Sequence, residues 1–203
     1  MKRILFVICT IGVIIGLFFI AKLGYNEYRE SHPINIYKYR SDINHKQNNN
    51  YIVEFYDLKC PTCKKAHKEV FENKEFNNLL DDKKVTVKYI PHPVLNNNGV
   101  SNKFANMADS VNDVMGIGAY HSFINESYNN MDEKDPIKVM KKLDYGNDLN
   151  KKIIKNYKAK DINQYPNTKK QEDQFNIKKT PTIFLNDEKV NYKDLQSRVE
   201  NLK

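Results

Sequence analysis

Three cysteines in 203 residues are too few to staple a secreted fold, because small exported domains held by disulfides use several bridges between distant positions. Cys9 falls inside an apolar stretch, which leaves Cys60 and Cys63 as the pair able to bridge outside it. The loop they would close is so short that a bridge adds little chain-entropy stabilisation. There is no second Cys-x-x-Cys and no paired histidine motif to complete a zinc set. The formal net charge is +8, or +5 once Lys2, Arg3 and Lys22 are set aside. Those lysines are scattered among acids rather than gathered in a stripe, so the usual footprint for nucleic acid is missing. Internal repeats and a second exported domain are also lacking.

What is present begins at the N-terminus. After Met1-Lys2-Arg3, residues Ile4 to Ala21 carry no charge. That length makes a helix of roughly 27 Å, close to a hydrocarbon core of about 30 Å and longer than the apolar part of an ordinary signal peptide. No Ala-x-Ala cleavage pattern follows. The reading favoured is an uncleaved anchor over residues 1–24, with Lys2 and Arg3 inside and the rest of the chain outside the membrane. A cleaved signal that releases the domain is the alternative. Cys9 follows Val7-Ile8 rather than small residues, so a lipoprotein cleavage site is not expected there.

Residues 25–50 are polar and read as a spacer, with a short first strand over Ile34 to Tyr39. Tyr51 to Tyr56 is β-branched and aromatic without alternation, as in a strand covered on both faces. Pro61 suits the first turn of a helix, and Cys63, Ala66, Val70 and Phe71 continue one apolar stripe. A second strand is expected over 84–90. Between about 100 and 160 the apolar residues recur at helical spacing in four groups, broken by Gly116, Gly118 and Asp135-Pro136. A helix over 169–175, a strand over 182–185, a turn, a hairpin partner over 189–192 and a closing helix complete the chain. The fold class is α/β with a helical insertion, the parallel strands joined through a helix.

In that order of elements, Cys60-Pro61-Thr62-Cys63 lies between a buried strand and a helix start. Val53-Glu54-Phe55 puts an acid on the strand, and Thr180-Pro181-Thr182 stands immediately before a later strand. With the helical block between, these features resemble the DsbA-like thiol:disulfide oxidoreductases of the thioredoxin superfamily. The resemblance covers about residues 34–203. It implies a thioredoxin fold with a helical insertion domain over 51–203. It also implies that Pro181 is cis, and that Thr180, Pro181, Pro61 and Thr62 contact substrate beside the thiols. Lys179 stands where the family often has Gly, and the Pro-Thr pair leaves the direction of electron flow open.

Disulfide exchange runs through a thiolate, and a helix N-terminus lowers a thiol pKa by aiming unpaired N–H groups and the positive dipole end at the sulfur. Cys60 is therefore expected to be an exposed attacking thiolate and Cys63 the resolving thiol. Lys59, Lys64 and Lys65 are expected to point into solvent. Glu54 is either a solvated charge or a covered carboxyl with a raised pKa, and its apolar neighbours favour the second. In that setting it would exchange protons with Cys63. His67 lies near the thiols as a third metal ligand at most, and is otherwise a surface or partly covered helix residue. His92 is expected in a loop, and His121 is isolated.

The activity expected is a membrane-anchored, extracytoplasmic thiol:disulfide oxidoreductase that forms disulfides in exported proteins and uses no cofactor or metal. The resemblance implies as partners reduced or unfolded exported chains and a quinone-coupled thiol oxidase in the membrane. A reductase or isomerase on the same fold and a non-catalytic tethered binding module are the other readings.

Overall fold

The computed structural model describes residues 14–23, 50–83, 85–95, 99–162, 164–166 and 168–202. Most of the expected spacer and the short strand over 34–39 lie outside the described residues, as do residues 1–13 of the expected anchor. Residues 14–23 are helical, with Phe18, Phe19 and Ile20 exposed. Among the described residues no helix is long and apolar enough to cross a membrane.

Among the described residues four strands form one sheet in the order β2-β1-β3-β4. β1 (Asn50–Tyr56) is central, with β2 (Val85–Pro91) parallel on one side and β3 (Thr182–Leu185) antiparallel on the other. Its buried residues divide by the period of two that a pleated strand imposes. Tyr51, Val53 and Phe55 pack with Phe175, Ile177 and Phe184 on one face. Ile52 and Tyr56 join the cores on the other face, and Glu54 shares their side of the pleat. Coverage on both faces explains why the strand reads as an unbroken apolar run.

β3 turns into β4 (Glu188–Val190) through Asn186 and Asp187, whose φ values of 49° and 73° suit a tight hairpin turn. Asn186 also accepts from the Tyr51 backbone N–H at 2.8 Å, which fastens this turn to the start of β1. β4 is shorter than the hairpin partner expected over 189–192, because a 3₁₀ turn begins at Tyr192.

On the Cys face, α1 (Pro61–Ala66) passes directly into a π-helical segment, His67–Phe71. The chain then restarts as α2 (Lys74–Asp82), capped by the Asn73 side chain accepting from the Glu75 and Phe76 N–H groups. The single stripe expected to run to Phe71 does not account for α2. The Asn73 cap followed by Phe76, Leu79 and Leu80 is the signal that marks it.

The insertion is four helices: α3 (Val100–Met115), α4 (Ile117–Asn129), α5 (Pro136–Lys141) and α6 (Asn147–Lys158). Gly116 separates the first two at φ 82°, and Asp135 caps α5 by accepting from the Ile137 N–H. Phe104, Met107, Phe123, Met140 and Ile153 form their shared core, which continues into Tyr56 and Cys63. α7 (Thr168–Phe175) covers the opposite sheet face through Phe175, and α8 (Leu195–Glu200) closes the fold with Leu195 and Val199.

Phe184 is fully buried and meets Phe55 edge-on at 6.1 Å between ring centroids. Phe184→Ala is expected to lower unfolding free energy by about 3–5 kcal/mol, read from urea denaturation. A loss under about 1 kcal/mol would show that this face repacks freely.

Candidate active site

Cys60 is the N-cap residue of α1, in extended conformation at φ −87° and ψ 117°. A turn delivers it there: its N–H donates to the Asp57 carbonyl at 3.0 Å, and its own carbonyl accepts the first helical bond from Lys64. No side chain caps this helix start. Its first N–H groups therefore remain for the sulfur. In the thiol form, Sγ donates to the Thr180 carbonyl at 3.4 Å. Both cysteines are free thiols.

The two sulfurs are unlike. The Cys60 thiol is drawn down to about 6, first by its hydrogen bond with the Cys63 thiol and further by the N–H groups of Cys63 and Thr62 and the Thr180 side chain, against burial that opposes them. Cys63 is fully buried, and burial, followed by the hydrogen bond and charge of Cys60, pushes its thiol far above the ordinary range. Cys60 itself is 7% exposed, which corrects the expectation of an exposed attacking thiol. The exposed parts of the motif are Pro61 and Thr62.

Glu54 is 1% exposed and stands in register between Tyr89 on β2 and Ile183 on β3. Burial raises its carboxyl to about 8, with a smaller contribution from Cys60. Its Oε1 has no hydrogen-bond partner among the described residues. A carboxyl in that position holds its proton at neutral pH, and its charge is felt at the Cys63 thiol.

Thr180–Pro181 is a cis peptide. Thr62, Thr180 and Pro181 together line a groove of about 380 Å³ that runs on past Lys179 to Lys189 and Tyr192. Pro61 is exposed at the helix start and is not among the groove-lining residues.

Asp57 was missed in the sequence. It is buried, and its carboxylate accepts from the Lys59, Val94 and Leu95 N–H groups at 2.8, 3.0 and 3.1 Å. An Asp at the first position of the turn that ends at Cys60 is the signal for it. Lys59 is 8% exposed rather than solvent-pointing. Lys64 is half-buried and Lys65 exposed.

The histidines do not join the thiols. His67 is buried, with Nε2 2.5 Å from Asn125 Oδ1 and its ring 5.1 Å from Tyr128, so it is neither surface nor partly covered as expected. His92 is fully buried rather than a free loop residue, bonded through Nδ1 to Gln171 and set edge-on to Phe55. His121 is exposed against Tyr89. Among the described residues no group of three His, Cys, Asp or Glu is placed to hold a metal ion.

A family model described as Thioredoxin matches residues 44–201. Among solved structures, oxidised BdbD from Bacillus subtilis is similar at 20% identity and TM-score 0.60, covering 76% of this chain and 88% of that one. The thiol-disulfide exchange protein alpha-DsbA2 from Wolbachia pipientis is similar at 21% identity and TM-score 0.60, covering 78% and 84%. MdbA, a thiol-disulfide oxidoreductase from Actinomyces oris, is similar at 20% identity and TM-score 0.57, covering 72% and 74%. No curated protein sequence matches the chain significantly. At 20–21% identity these likenesses are likenesses of fold.

Glu54 also sets a pH dependence. Its folded pKa of about 8 exceeds the ordinary 4.5, so between those values the folded state holds a proton that the unfolded chain has released. The contribution of Glu54 to the stability of the reduced protein then falls as pH rises through this window. Glu54→Gln removes the penalty and is expected to stabilise by on the order of 3 kcal/mol at pH 7 relative to pH 4, read from denaturant curves at both pH values. Parallel curves for the two proteins would mean the carboxyl is not buried uncharged.

Proposed function

The chain belongs to the thioredoxin family, and from that premise we propose that it is an extracytoplasmic thiol:disulfide oxidoreductase, anchored by residues 1–24, that forms disulfides in exported proteins. The observation that carries this reading is the asymmetry of the two sulfurs, with Cys60 held as a thiolate and Cys63 held as a thiol. Stabilising the Cys60 thiolate stabilises the reduced form over the disulfide, and that makes a dithiol pair an oxidant.

In the oxidised enzyme a substrate thiolate attacks Cys60 Sγ. The Cys60–Cys63 bond breaks as the mixed disulfide forms, and Cys63 departs with the electron pair. So basic a leaving group needs a proton at once, and Glu54 supplies it from its neutral carboxyl. A second substrate thiolate then attacks the substrate sulfur of the mixed disulfide. Cys60 leaves as the thiolate, which its low pKa favours. Substrate has lost two electrons and the enzyme has gained them. The groove beside Thr180 and Pro181 supports docking of an extended substrate segment against the thiols. Return to the disulfide needs an electron acceptor, and a quinone-coupled thiol oxidase in the same membrane fits an anchored enzyme.

Equilibration against glutathione is expected to give a potential above the about −270 mV of thioredoxin, on the side of the about −120 mV of strong oxidants. A value near that of thioredoxin would replace the oxidase reading with a reductase. Cys63→Ser is expected to accumulate mixed disulfides with reduced substrate on non-reducing gels, and Cys60→Ser to form none. The opposite pattern would reverse the two roles.

A further inference from the structure

The residue before the nucleophile is built into the fold in a way its sequence does not advertise. The Lys59 ammonium has three N–H donors, and it meets three backbone carbonyls: Asn130 at 3.4 Å, Met131 at 3.1 Å and Glu133 at 2.6 Å. These carbonyls belong to the turn that follows the C-terminal end of α4, where the helix dipole still favours a cation. Nζ also lies 3.6 Å from the centroid of the Phe104 ring on α3. The ammonium's hydrogen-bond partners and its ring contact thus all come from the helical insertion.

The backbone of the same residue is fastened from the other direction. The Lys59 N–H donates to Asp57 Oδ1, while Asp57 Oδ2 holds Val94 and Leu95 beyond β2. The turn 57–60 is therefore tied to the loop after β2 on one side and to the insertion on the other, with Cys60 as its last residue. Burial draws the Lys59 ammonium down to about 8, opposed by the carboxylates of Glu133, Asp57 and Asp132. An ammonium held there against desolvation is kept by its partners, not by solvent.

We propose that Lys59 is a positioning residue: by clamping the turn before Cys60 to the end of α4, it holds Cys60 at the N-cap where the Thr62 and Cys63 N–H groups reach its sulfur. The groups that lower the Cys60 thiol are its helix-start neighbours and Thr180, and their aim depends on where the turn places the Cα. The inference rests on Cys60 being a reactive thiolate, and not on the direction of electron flow.

The test is alkylation of the reduced full-length protein by iodoacetamide from pH 4.5 to 9, mapped to Cys60 by peptide mass. This readout needs no substrate or redox partner, so its outcome is separate from that of the oxidase reading. Lys59→Met keeps the stem and loses the donors. It is expected to raise the apparent thiol pKa by about one unit, seen as about tenfold slower alkylation at pH 5. Lys59→Arg keeps charge and donors and is expected to stay within about twofold of the parent rate at that pH. An unchanged pH profile in Lys59→Met, with or without a loss of thermal stability, overturns the proposal. If Lys59→Met does not fold by circular dichroism, Lys59→Gln carries the same comparison. Failure of both to fold also overturns the proposal, since the lysine would then hold the fold rather than the nucleophile.

Discussion

The unpaired N–H groups at the start of α1 are what the site is arranged around. A helix beginning normally takes a side-chain acceptor, and here it takes a sulfur instead. Pro61 reinforces this, because at the first helical position it has no N–H to satisfy and its fixed φ already suits the helix. Four requirements follow. The cap residue must be extended, the turn before it must be rigid, the second thiol must lie one helical turn on, and a carbonyl loop must approach from outside. Asp57, Cys63 and Thr180 meet the last three.

The sheet supplies the complementary condition, a place where charge is expensive. Because β1 is covered on both faces, its single acid stays neutral, and the thiol beside it stays protonated. One sulfur is therefore at a helix end that favours an anion, and the other is in a core that forbids one. Three residues of separation are enough to cross that boundary. The insertion contributes to it directly, since Tyr128, Phe104 and Met107 belong to the same core as Cys63.

The strand and helix order and the four groups of apolar residues in the insertion were readable because periodicity is strong where one face is buried. The cis peptide at Pro181 was legible only through resemblance, since a lone Thr-Pro carries no such information. α2 was hidden by the π segment, where one stripe runs out and another begins with its own Asn73 cap. Lys59, His67 and His92 were misplaced for a shared reason. Residue type gives the odds of burial, but burial here is decided by partners distant in sequence: Glu133, Asn125 and Gln171. No local pattern encodes those meetings.

The outermost strand on the hairpin side, β4, is three residues long and presents Glu188 and Lys189 to solvent. An exposed edge strand is a ready template for main-chain ladders. Three residues offer too few backbone partners to retain an extended visitor, and the charges discourage a second copy from lining up alongside. The groove ends against this stub, so a chain docked there meets a short, charged rail instead of a template. The same economy that leaves β4 marginal as a strand guards the fold against becoming the seed of an aggregate.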